Sequence, residues 1–280
     1  MSVKVIAECG ACHNGSLKVA CEMIEEAKYA GADFVKFQKR DVSLMSDEAR
    51  DRPYTGPNSF GQTYGEHRAK LEFNREEWEC LFKVAKDYKI GMFASVFDIP
   101  SARFIREFDP PVYKIGSANT TDGKLIEEVA GYGKTTLIST GMSTEREIDM
   151  ACNAFDGASG VLVLMQCTSD YPCAEENVNL RVLENITDSN ESIVGEIGLS
   201  GHYTSGNGAI EAAAVALGAT WIERHFTLDR TMKGTDHIAS LEPEGLRRVV
   251  KAVRSVERAM GSPEKRVLDC ELPAREKFRK

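Results

Sequence analysis

At 280 residues and 30.9 kDa, the chain is long enough for one large hydrophobic core, and 42% hydrophobic with 28% charged residues excludes a disordered polymer. With 35 basic against 43 acidic side chains and a formal charge of −8, a broad nucleic-acid footprint is excluded, whereas a few focused cations can still hold a small anion. The N-terminus MSVKVIAECG lacks the apolar length of a signal peptide and no apolar run approaches a membrane span, so no membrane partner, a cytoplasmic location and reduced cysteines are expected.

Short apolar or β-branched runs alternate with amphipathic stretches along the whole chain, a pattern that predicts βα units around a parallel sheet. The first run, Val3 to Glu8, leads through Cys9-Gly10-Ala11-Cys12-His13 into a helix over Leu17 to Tyr29, which Gly31 stops. The C-x-x-C-H spacing matches c-type haem attachment, but that chemistry needs an exported chain. The segment is read instead as the first strand-end loop, with His13 at least bracing it. The second run, Asp33 to Gln38, is followed by Asp41 to Leu71, where Pro53, Gly56, Pro57, Gly61 and Gly65 predict a long loop over the strand's exit. Long ordered loops often serve as lids or binding loops. Runs at Gly91 to Ser95, Val112 to Ile115, Thr135 to Ser139, Gly160 to Gln166, Ile193 to Gly198 and Thr220 to Glu223 complete the set. The expectation is a single-domain α/β protein, a (β/α)8 TIM barrel over residues 1–262, with 263–280 as a C-terminal tail or linker.

Barrel active sites assemble where the carboxyl ends of the strands converge. Glu8, Lys36, Gln38, Ser95, Lys114, Ser117, Ser139, Thr168, Ser200, His202 and His225 all fall at or just after predicted strand ends. A lone Ser there would be an ordinary helix cap and a lone Lys a solvated charge, but recurrence around the ring is harder to dismiss. His202 and His225 are the metal candidates, since two imidazoles leave coordination positions open for water and a substrate oxygen. Lys114 before Gly116-Ser117, and Ser139 before Gly141, pair polar groups with turns that let an anion approach closely, while capping alone would account for Ser143.

The segments IAECGACHNGSLKVA, AGADFVKFQ, TYGEHRAKLEF, VYKIGSAN, LISTGMST, QCTSDYP, IGLSGHY, ALGATWIERHFTLDR and KGTDHIASLEP, in this order, resemble the sialic acid synthase family and its legionaminate and pseudaminate relatives. The resemblance implies condensation of phosphoenolpyruvate with an open-chain amino sugar such as N-acetylmannosamine, assisted by Mn²⁺ or Mg²⁺ on His202 and His225. By the same resemblance Glu8 does acid-base work, and Lys36, Ser95, Lys114, Ser117, Ser139 and Ser200 hold phosphoenolpyruvate. Gln38, Tyr171 and Asp236 contact the sugar, and a homodimer is implied.

Four positions depart from the family pattern: Gln166, Ser169, Asn119 for an acid, and Gly201 for the Asp of S-D-H. The family's small C-terminal antifreeze-like domain is also expected to be absent. From these departures N-acetylmannosamine is not expected to be the preferred acceptor, because the absent domain would no longer reach the sugar's N-acyl group and Asn119 and Gly201 would remove two carboxylates from the pocket rim. Two alternatives stand beside this reading: a synthase of a 3-deoxy-ulosonic acid from another aldose, and a catalytically silent binding barrel.

Overall fold

The structure, a computed structural model, describes residues 2–279. The apolar runs form eight strands: β1 (Lys4–Gly10), β2 (Phe34–Lys39), β3 (Gly91–Val96), β4 (Val112–Ile115), β5 (Thr135–Ser139), β6 (Leu162–Cys167), β7 (Val194–Gly201) and β8 (Trp221–His225). Each pairs in parallel with its chain neighbour, and β8 closes on β1 in register from Lys4↔Trp221 to Glu8↔His225. The result is a (β/α)8 barrel, as expected.

Six strands differ at their ends from the expectation. β1 runs on to Gly10, β2 lies at Phe34–Lys39, β3 extends to Val96, β6 lies at Leu162–Cys167, β7 continues through Gly201, and β8 through His225. Charged and polar side chains suggest an end to a sequence reading, but a backbone ladder continues wherever a neighbouring strand offers partners. Here Ser200 pairs with Glu223, and Phe226 N donates to Glu8 O at 2.8 Å.

Side chains alternate between two cores. Inside the barrel Ile6, Phe93, Val112, Leu137, Val163, Met165 and Trp221 pack into one plug with Phe34 against it. The opposite strand faces, including Val5, Val35 and Ala94, pack against the helical ring through residues such as Met23, Trp78 and Leu246. The first helix spans Leu17–Ala30 and ends at Gly31, whose φ of 94° lies in the left-handed region that glycine adopts without strain.

The expected long loop is built rather than loose. It holds the short helices Asp47–Asp51 and Tyr64–Ala69, the second closed by a reciprocal capping box between Thr63 and Glu66. The cap of the helix Glu145–Phe155 is Thr144 with Glu147, rather than Ser143. At the other end of the chain, Pro243–Met260 fastens the entries to β1 and β2: Arg254 donates to Val3 O and pairs with Asp33, and Glu257 accepts from Val3 N at 2.7 Å. Residues 261–279 beyond it are exposed throughout and include the helix Leu272–Phe278. No helix among the described residues is long and apolar enough to cross a membrane.

Candidate active site

Two residues beyond the apolar plug, the same inward faces change character. Ile6 is succeeded by Glu8, Phe34 by Lys36, Phe93 by Ser95, Val112 by Lys114, Leu137 by Ser139 and Trp221 by Glu223. Strand parity therefore builds a polar floor directly on an apolar one. Lys36 Nζ is ion-paired with Glu8, lies 3.6 Å from Glu223 and donates to Ser95 Oγ at 2.6 Å. Lys114 Nζ bridges both oxygens of Glu223 at 3.1 and 3.2 Å, Ser200 Oγ donates to the same carboxylate at 3.1 Å, and Gln38 donates to Glu8 at 2.9 Å.

Burial opposes charge on Lys36, Lys114 and Glu223, and their ion pairs offset it to different degrees. Desolvation alone would lower Lys36, but Glu223 and Glu8 together lift its pKa above the ordinary value. For Lys114 burial prevails and lowers the pKa, with Glu223 pulling the other way. For Glu223 the two lysines overcome burial and take the carboxyl down to about 2. The floor thus sets Lys36 and Lys114 against Glu8 and Glu223 around the pocket. Glu223, invisible as a site residue from sequence, is its hub.

Above the floor stand the two histidines. Their ring centroids are 5.3 Å apart at 67°, with Tyr171 packed on His202 at 4.1 Å. His202 Nδ1 hydrogen-bonds Thr168 O at 2.7 Å, which directs Nε2 away from that carbonyl as a free lone pair. Burial and the neighbouring His225 hold the His202 pKa down to about 3, so this imidazole is neutral at neutral pH. His225 Nδ1 is buried without a hydrogen-bond partner, 4.0 Å from Asp236 Oδ2. An orphaned ring nitrogen facing a neutral imidazole and a carboxylate is a donor set that fits a divalent cation with positions left open. No group of three or more His, Cys, Asp or Glu among the described residues makes a closed ligand cage.

The residues assigned from the sequence to catalysis, metal and substrates border one pocket of about 460 Å³. Thr168, also in the expected ring, does not line it: its Oγ1 donates to Asn177 O at 2.7 Å and its carbonyl meets His202. Ser117 Oγ accepts from Gly141 N at 3.1 Å, and Ser139 Oγ is buried without a partner, free to donate to an anion. The structure adds Glu223, and at the mouth Arg40, Tyr64, Arg68 and Phe97, none of them picked out beforehand. Tyr64 and Arg68 come from the segment over the exit of β2.

Two expectations need correction, and a third, His13 as a brace, holds. Asn119 does not line this pocket; its amide donates to Phe97 O at 3.2 Å. Gly201 sits on the outer face of β7, where a Cβ would come within 2.6 Å of the Tyr203 ring and 3.0 Å of Arg224. Neither position therefore removes a carboxylate from the rim. His13 is a brace: it packs on Phe73 at 4.3 Å, accepts from Gly15 N at 3.1 Å, and burial lowers its pKa to about 4.

Comparison with known proteins agrees with this geometry. The NeuB family profile matches residues 23–265. N-acetylneuraminate-9-phosphate synthase of Homo sapiens is 42% identical over 277 residues, covering 99% of this chain and 76% of that protein. N,N'-diacetyllegionaminic acid synthase of Campylobacter jejuni is 36% identical, covering 92% and 77% respectively. A crystal structure of N-acetylneuraminic acid synthetase from Leptospira borgpetersenii, in complex with citrate, superposes with a TM-score of 0.84 at 29% identity over all of this chain and 93% of that one. A truncated 3-deoxy-D-arabino-heptulosonate 7-phosphate synthase from Thermotoga maritima shares the fold at a TM-score of 0.67 and 15% identity.

Proposed function

This chain belongs to the NeuB family, and from that premise we propose that it joins phosphoenolpyruvate to an open-chain amino sugar, releasing phosphate and a nonulosonic acid. The observation that carries the reading is the buried floor of Lys36, Lys114, Glu8 and Glu223 lying directly beneath His202 and His225. A site for phosphoenolpyruvate needs cations at two anionic ends, and a site for an aldehyde needs an electrophilic helper above them.

Lys114 takes the phosphate and Lys36 the carboxylate, with the hydroxyls of Ser95, Ser117, Ser139 and Ser200 completing the cradle. The methylene carbon of phosphoenolpyruvate forms a bond to the aldehyde carbon, water adds at the former enol carbon, and the C–O bond to phosphate breaks with loss of inorganic phosphate. His202 and His225 would hold Mn²⁺ or Mg²⁺, which supplies Lewis-acid polarisation of the aldehyde oxygen. Glu8, fixed by Lys36 and Gln38, moves the proton at that oxygen. Gln38, Tyr171 and Asp236 orient the sugar's hydroxyls at the pocket wall. Burial of the floor strengthens each of these interactions relative to water.

The test is phosphate release. EDTA should abolish it and Mn²⁺ restore it, and the variant His202→Ala/His225→Ala should be inactive. Full activity after exhaustive chelation, or in that variant, overturns the metal assignment.

A further inference from the structure

We propose that Cys167 is a positioning residue for phosphoenolpyruvate: its thiol donates to Ser117 Oγ and thereby commits the Ser117 proton to the bound anion. The inference rests on the condensation proposed above and adds a residue to the machinery of that same site.

Strand parity singles Cys167 out. Val163 and Met165 of β6 belong to the apolar plug, so the next inward residue of that strand is Cys167. It stands in register with Ser200 of β7, on the level of the polar floor. The other strands fill that level with charged or hydroxyl-bearing side chains, from Glu8 on β1 to Glu223 on β8, whereas β6 brings a thiol. A buried cysteine is ordinarily a small hydrophobe. Cys9, Cys12, Cys152 and Cys173 follow that rule and pack in the outer core, but Cys167 belongs to neither apolar cluster. It is buried, borders the substrate pocket, and holds its Sγ 3.1 Å from Ser117 Oγ.

The bonding of Ser117 decides which way that contact runs. Its oxygen has two lone pairs and one proton to place. Gly141 N donates to it at 3.1 Å and fills one lone pair. Either Ser117 gives its proton to the sulfur, a weak acceptor, or the thiol donates to the second lone pair. An anionic oxygen in the pocket settles the choice, because a hydrogen bond to a charged acceptor is roughly twice as strong as one to a neutral acceptor. Ser117 then turns its proton to the substrate, and the thiol, no longer an acceptor, donates its own. With both lone pairs taken, Ser117 acts as a donor alone. Packing keeps the pair together: a Cβ on Gly141 would come within 2.8 Å of both Cys167 Sγ and Ser117 Oγ, so both atoms crowd one stretch of backbone that glycine alone admits. Ser139 Oγ is the contrast, buried without a partner to orient its proton.

The test is a double-mutant cycle on Cys167→Ala and Ser117→Ala in the full chain with Mn²⁺. It is read as the KM for phosphoenolpyruvate with saturating N-acetylmannosamine or its 6-phosphate, whichever is turned over. Cys167→Ala should raise that KM by roughly 2- to 10-fold, the worth of one neutral hydrogen bond, and leave kcat within about twofold. Cys167→Ser, which restores a donor, should recover most of the loss, as a space-filling role for sulfur would not. In the Ser117→Ala background Cys167→Ala should change nothing further. An unchanged KM in Cys167→Ala, a full loss that persists without Ser117, or a serine variant no better than alanine overturns the proposal. Should the alanine variant fail to fold, Cys167→Val, which fills the space without a donor, takes its place in the cycle. If the unmodified protein turns over neither sugar, the condensation reading fails separately, and the same cycle read by calorimetry of phosphoenolpyruvate decides the role of Cys167. No binding of phosphoenolpyruvate to the unmodified protein overturns both.

Discussion

Lys36 and Lys114 look interchangeable in the sequence, each a cation near a strand end, but their surroundings divide them. Lys36 touches two carboxylates and is held charged more firmly than a free lysine, whereas Lys114 has Glu223 alone and its charge is weakened by burial. Replacing either with Met should weaken phosphoenolpyruvate binding by about 1.5–3 kcal/mol, the range for a hydrogen bond to a charged group. Calorimetry showing unchanged affinity in both variants would remove them from the site. Residues of this kind are legible because their chemistry is unusual at a strand end. Glu223 is not, since in a one-dimensional reading it is simply the polar residue at which β8 seems due to stop. Recognising that His225 is still in the strand puts Glu223 two residues before it on the same inward face, where an unpaired carboxylate would be untenable.

At the scale of elements, the missed extension of β7 and β8 hid a clamp. Arg224 lies between Glu223 and His225 but faces outward, fully buried, and donates to Tyr203 O and Ser205 O while pairing with Glu211 on the helix Ala209–Ala216. It thereby ties the loop carrying His202 to the strand carrying His225. Supporting groups of this sort set the spacing of metal ligands, and their loss typically costs roughly 10- to 100-fold in metal affinity. The variant Arg224→Met/Glu211→Gln, which avoids stranding a buried carboxylate, should lose Mn²⁺ affinity in that range while keeping its circular dichroism. Wild-type Mn²⁺ binding in a folded variant would show that the clamp does not govern the ligands. The arginines of the mouth escaped notice for a different reason. Arg68 sits on a short helix inside an irregular segment, and irregular backbone has no period from which to read where a side chain points.

For the whole molecule, the order of strands and the closed barrel were legible because apolar runs and amphipathic helices alternate without interruption, a pattern with few topological solutions. The ring of polar strand ends then located the pocket before any coordinates. Its rim could not be read the same way: Asn119 and Gly201 resembled lost acids, yet each is turned to a structural contact instead. The barrel unit should also be separable from the exposed segment that follows it. A chain ending at Ser262 should melt within about 1–2 °C of the full chain and bind phosphoenolpyruvate equally, because surface changes away from packed features are usually within ~0.5 kcal/mol. A larger drop in the melting temperature would make the tail part of the barrel domain.

The pairing of Lys114 with Glu223 joins residues 109 positions apart in the chain. Lys36 has Glu8 on the adjacent strand β1, whereas the carboxylate that pairs with Lys114 is carried by the last strand, β8. Without β8, Lys114 would have no carboxylate within ion-pairing distance among the described residues. Docking of β8 closes the sheet on β1, brings Glu223 to both lysines and supplies His225 together. Closure of the barrel and completion of the site thus depend on the same strand.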